Sequence, residues 1–98
     1  MMSEEALDWE SATPQPLEHV VATDFEGGEG VLVDLNTKKY YQLNATAMLV
    51  WHALERRKTV REVVEDMTAA YEVSPEHARA SVGKILDNFA SLKLVGPR

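Results

Sequence analysis

The sequence predicts an α+β domain: a three-stranded antiparallel sheet followed by a three-helix bundle, winged helix-turn-helix-like in its order. Three observations predict it. Between residues 17 and 43, three runs rich in β-branched and aromatic residues are separated by turn residues. From residue 44 onward the apolar spacing changes to the 3.6-residue period of helices. Helix-start signals then stand at Asn44, Thr59 and Ser74-Pro75.

Residues 1–16 hold Glu4, Glu5, Asp8 and Glu10, lack any basic residue and end in Thr13-Pro14-Gln15-Pro16. They are expected to form a flexible acidic N-terminal arm ahead of a domain over 17–98. Trp9, the lone tryptophan of this arm, is the residue that would dock on the domain or on a partner. Residues 17–25, LEHVVATDF, have strand composition, and Glu26-Gly27-Gly28-Glu29-Gly30 is a flexible turn. Val31–Leu35 alternates as a half-buried strand does. Asn36-Thr37-Lys38 turns the chain into the third run, Lys39–Leu43. Short turns between consecutive strands make an antiparallel meander, which needs a helical layer on one face.

Asn44 stands at the N-cap of the first helix, with Ala47, Val50, Trp51 and Leu54 on one stripe. Glu55-Arg56-Arg57-Lys58 closes it, with cations at the end the helix dipole favours. Thr59-Val60-Arg61-Glu62 is a capping box, and Val60, Val63, Val64, Met67 and Tyr71 form the second stripe. Ser74-Pro75 opens the third helix, whose stripe is Ala78, Val82, Ile85, Leu86, Phe89 and Leu92. Gly83 interrupts it, which signifies either close helix packing or a shallow groove in which another backbone lies.

Composition narrows the function. A chain of 98 residues supports one modest core and no deep catalytic cavity between domains. Without cysteine there is no disulfide, thiolate nucleophile or sulfur-ligated metal. No run approaches a membrane span and the N-terminus is acidic, so a cytoplasmic protein away from the membrane is expected. The net charge is −6, with −4 in residues 1–16; the rest, with 12 acidic and 10 basic groups, is nearly balanced. Such a surface does not attract a polyanion.

The candidate motifs point away from chemistry. Asn44-Ala45-Thr46 matches a glycosylation sequon, but capping accounts for the asparagine. His19, His52 and His77 fall on different elements without ligand spacing, and Ser81 and Ser91 have no nucleophile context. No catalytic residue, metal site or cofactor is predicted. The alternative to a binding module is a winged-helix nucleic-acid-binding regulator. Its last helix would offer Arg79, Lys84 and Lys93 against Glu76 and Asp87, a thin cationic surface with an acid near its leading end.

The succession "GVLVDLNTKKYYQLNATAMLVWHAL", "TVREVVEDMTAAYEVSP" and "ILDNFASLKLV" resembles the PqqD family over residues 19–95. Its members are small chaperones of peptide modification, also called RiPP recognition elements. The resemblance implies a non-catalytic protein that binds the leader segment of a ribosomally made precursor peptide. Pyrroloquinoline quinone and lasso-peptide biosynthesis are among the pathways such proteins serve. It further implies presentation of that leader to a modifying enzyme, such as a radical S-adenosylmethionine protein or a leader peptidase. The leader would add as a strand to the third run, beside the last helix. The site residues so implied are Lys38, Lys39, Tyr40, Tyr41, Gln42 and Leu43 on the strand. On the helix they are Arg79, Val82, Gly83 and Leu86, with Tyr41, Leu43, Val82 and Leu86 as apolar walls. Many members have glycine where this chain has Lys38.

Overall fold

The computed structural model describes residues 13–96. The meander consists of β2 (Val20–Asp24), β3 (Gly30–Asp34) and β4 (Lys39–Leu43), in the order β2-β3-β4. The helices are α1 (Ala45–Glu55), α2 (Val60–Ala70) and α3 (Pro75–Ser91). Two short strands, β1 (Gln15–Pro16) and β5 (Val95–Gly96), pair antiparallel.

Local chemistry sets the boundaries. Asn44 Oδ1 accepts from the Ala47 amide at 2.9 Å, and the Ser74 hydroxyl from that of His77 at 3.1 Å. At α2 the box is reciprocal: Glu62 N–H donates to Thr59 Oγ1 and Thr59 N–H to Glu62 Oε1. Each cap satisfies amides that lack an intrahelical acceptor. The β2–β3 turn is a short 3-10 segment, Glu26–Gly28, in which Gly27 and Gly28 have φ of 88° and 90°. In the β3–β4 turn, Asp34 Oδ1 accepts from the amides of Asn36 and Thr37, and Lys38 takes φ 65°. Desolvation opposes ionisation of this buried carboxyl. The two turn amides and nearby His19 outweigh it, so its pKa lies below the ordinary value.

The core lies between the sheet and the helices. Trp51 of α1 is fully buried and meets Phe89 of α3 edge to face, with ring centroids 5.4 Å apart. Leu32 and Leu43 enter from the sheet, and Val63, Met67, Val82 and Leu86 from α2 and α3. Gly30 sits where a Cβ would fall 2.6 Å from the Thr23 carbonyl oxygen and 2.7 Å from Met48 Cε, so the start of β3 admits no side chain.

The domain boundary expected at residue 16 shifts. Thr13 is buried, β1 pairs with β5, and Leu17 N–H donates to the Leu94 carbonyl, so residues 13–16 are built into the domain. Residues 1–12 of the expected arm, with Trp9, lie outside the described residues.

Candidate peptide-binding groove

Backbone direction in the sheet fixes which groups β4 can offer. The Phe25 amide donates to the Glu29 carbonyl and the Leu35 amide to that of His19, so the odd-numbered rows of β2 and β3 exchange bonds. Alternation then turns Gly30, Leu32 and Asp34 toward β4, where they oppose Leu43, Tyr41 and Lys39. The N–H and C=O groups of Tyr40 and Gln42 therefore point away from the sheet. β4 is an edge strand, and these are its unpaired groups.

Side chains alternate with the same period. Tyr41 and Leu43 face the helices, where Tyr41 is half-buried and Leu43 buried. Tyr40 and Gln42 face outward, and Tyr40 is 75% exposed. Beside the helix face of this edge runs an open groove of about 430 Å³ lined by Gln42, Leu43, Asn44, Thr46, Ala47, Ser81, Lys84, Ile85 and Asn88. Ser81, Lys84, Ile85 and Asn88 have the i, i+3, i+4, i+7 spacing of one helix face. Past Thr46 and Ser81 the depression continues toward Tyr71, Val73 and His77. Leu43, Ala47 and Ile85 supply its apolar floor, and Lys84 is its one cation.

The implied strand residues Lys38–Leu43 thus lie together along one edge, whereas the implied helix residues do not face it. Val82 and Leu86 are fully buried in the core, so neither can wall the groove. Arg79 and Gly83 lie on the opposite flank of α3: at 100° per residue, they fall roughly 160–200° from Ser81. A Cβ at Gly83 would meet nothing within 4 Å, so no close helix contact explains that glycine. The α3 residues that line the groove are Ser81, Lys84, Ile85 and Asn88. The spacing could have found them, since they flank the Ala78-Val82-Phe89 stripe, but two flanks exist and periodicity does not choose between them.

Elsewhere, His52 joins two carboxylates, with Nε2 2.8 Å from Asp24 Oδ1 and Nδ1 2.8 Å from Glu55 Oε1. Glu55 Oε2 also accepts from the Trp51 indole N–H at 3.1 Å. This tie between β2 and α1 lies away from the groove lining and serves the fold. Among the described residues, no group of His, Cys, Asp and Glu is placed to hold a metal ion, and no helix is long and apolar enough to cross a membrane.

A family profile described as coenzyme PQQ synthesis protein D (PqqD) matches residues 29–95, which is more than half of the chain. The chain belongs to the PqqD family. Among solved structures, TbiB1 in complex with the TbiA(beta) leader peptide is similar, with TM-score 0.77 and 27% identity. That match covers 83% of this chain and 93% of TbiB1. A lasso peptide synthetase B1 complexed with its leader peptide matches with TM-score 0.76 and 21% identity, over 86% of this chain and 98% of the other, and shares the fold. No curated protein matches. As a PqqD-family member, the chain has the order of strands and helices that its sequence predicts.

Proposed function

We propose that this PqqD-family chain is a leader-peptide recognition protein. It captures the leader of a ribosomally synthesised precursor by strand addition to β4 and presents it to a modifying enzyme. The observation that carries this is the unpaired edge at Tyr40 and Gln42, opening beside a groove with an apolar floor. Two solved relatives of the same fold hold leader peptides. The protein acts by binding, without chemistry of its own. The cytoplasm, where a ribosomal precursor is made, is the compartment implied.

Presentation requires a second surface, and the outer face of the sheet supplies one. Val21, Phe25, Leu35 and Tyr40 are the exposed large hydrophobics among the described residues; by alternation Val21 and Tyr40, in one row with Val33, lie on the face turned away from the helices, and Phe25 and Leu35 follow the ends of β2 and β3. A half-solvated antiparallel sheet normally shows polar residues there. An added guest strand would extend the same face, so an enzyme docking on it would meet protein and peptide together. Nucleic acid is not the partner. The groove carries one cation, and the winged-helix order comes without a basic stripe on α3.

The test is a titration of labelled protein with the precursor encoded beside it, read by backbone chemical shifts. Binding at this site moves Tyr40–Asn44 and Ser81–Asn88 together. Shifts confined to β2 and α2 would place the peptide elsewhere.

A further inference from the structure

The charges around the β4 edge carry information about the guest. Lys84 stands on the α3 wall of the groove, Lys38 and Lys39 at the opposite end of the strand, and no carboxylate lines the groove. None of the three lysines is in an ion pair with another described residue. The groove lining is thus positive on a chain whose net charge is −6, while at the far end of the strand Asp34 stands opposite Lys39. Long-range attraction therefore does not bring in acidic partners in general, and selection falls to short-range pairing at the groove.

We propose that the guest is an acidic strand with an apolar side chain seated on Leu43, Ala47 and Ile85 and a neighbouring carboxylate paired with Lys84. Lys84 is then the specificity-determining residue. The proposal rests on strand addition at β4 and names the class of peptide that adds there. Guest residues bonded to Tyr40 and Gln42 turn their side chains outward, and the residues between them face the groove. The groove-facing residue opposite Leu43 meets the apolar floor. Its same-face neighbours lie about 7 Å along the strand, within reach of an ammonium on a four-carbon stem. Four residues from the apolar anchor, the guest position opposite Lys39 meets a second cation, so an acid there adds to the preference. A basic guest sets like charges side by side at both ends.

A displayed library of random peptides about twelve residues long, long enough to span β4 twice at ~3.4 Å per residue, is selected on the wild-type protein and on Lys84→Glu. Circular dichroism verifies that the variant folds. Wild-type winners are expected to carry Asp or Glu within two positions of a large apolar residue, and Lys84→Glu winners to carry Lys or Arg there. A wild-type winner should bind Lys84→Glu more weakly by on the order of tenfold at low ionic strength, with the gap closing in about 0.5 M salt. Identical charge composition in the two pools overturns the acidic-guest proposal. Strand addition still stands in that case if the winners lose binding to Gln42→Pro. If the winners bind Gln42→Pro as tightly as wild type, or if nothing is enriched, strand addition falls and the charge rule falls with it.

Discussion

At single residues, mutation can weigh the backbone at two positions. Lys38 occupies the left-handed region at φ 65°, where an L side chain costs about 1–2 kcal/mol and glycine nearly nothing. Glycine also raises the entropy of the unfolded chain, by an amount on the order of 0.5–1 kcal/mol. Lys38→Gly should therefore raise stability by several tenths of a kcal/mol up to about 1, read from the urea midpoint. Gly83 is the reverse case. It is helical, with open space where its Cβ would go, so Gly83→Ala should stabilise by about 1 kcal/mol. Peptide affinity should stay unchanged, because position 83 lies away from the groove. A loss of affinity would return the guest to the Arg79–Gly83 flank.

His52 adds a pH dependence. Desolvation lowers its pKa, but hydrogen bonds to Glu55 and Asp24, with their charges, raise it above the ordinary 6.5. Carboxylate oxygens only accept, so the imidazolium satisfies both. A raised folded-state pKa gives stability that is complete below the unfolded value and lost as pH rises through the folded one. The advantage of wild type over His52→Gln in thermal unfolding should accordingly shrink as pH rises above the ordinary histidine value of 6.5. The effect should be small, because the three groups are 31%, 62% and 42% exposed. An advantage that grows with pH would mean that the neutral ring is the bound form.

Among the elements, the capped helices and the three strands of the meander were legible in the sequence, and the β1–β5 pair was not. Asn44, Thr59-Glu62 and Ser74-Pro75 open the helices as predicted, because a cap is a local hydrogen bond between residues three apart. Lys39–Leu43 coincides with β4. The β1–β5 pair escaped, since a two-residue strand has no periodicity and its partner is some eighty residues away. The flank of α3 that meets the edge escaped too, because it depends on how α3 seats against α1. Thr59→Ala should remove about 1 kcal/mol, and Leu86→Ala, which empties a fully buried site, about 2–5. The β4 edge gives a sharper contrast. Proline at Gln42 replaces an N–H that points to solvent, so the domain should stay folded and lose its peptide. Proline at Tyr41 removes a bond to Leu32 and should unfold the sheet. Circular dichroism beside a binding titration separates the two, and loss of fold in both would mean that β4 is no edge.

For the whole molecule, peptide binding and folding are one equilibrium. A sheet of three strands is near the lower limit of independent stability, and here it rests on one helical layer. A guest strand that pairs with Tyr40 and Gln42 and covers the Leu43–Ile85 floor exists only on the folded protein, so it stabilises by mass action. Ordering a flexible leader consumes part of the contact energy, so an affinity near micromolar or somewhat tighter, about −8 kcal/mol, is expected. With peptide at roughly a hundred times its dissociation constant, the gain is about 2.7 kcal/mol. In a domain of this size, that raises the unfolding midpoint by on the order of 10 °C. Gln42→Pro should keep most of the unliganded midpoint and lose the rise. Lys84→Glu should keep the midpoint and lose part of the rise for an acidic peptide. A rise of equal size in wild type and Gln42→Pro would mean that the peptide stabilises the fold from somewhere other than the β4 edge.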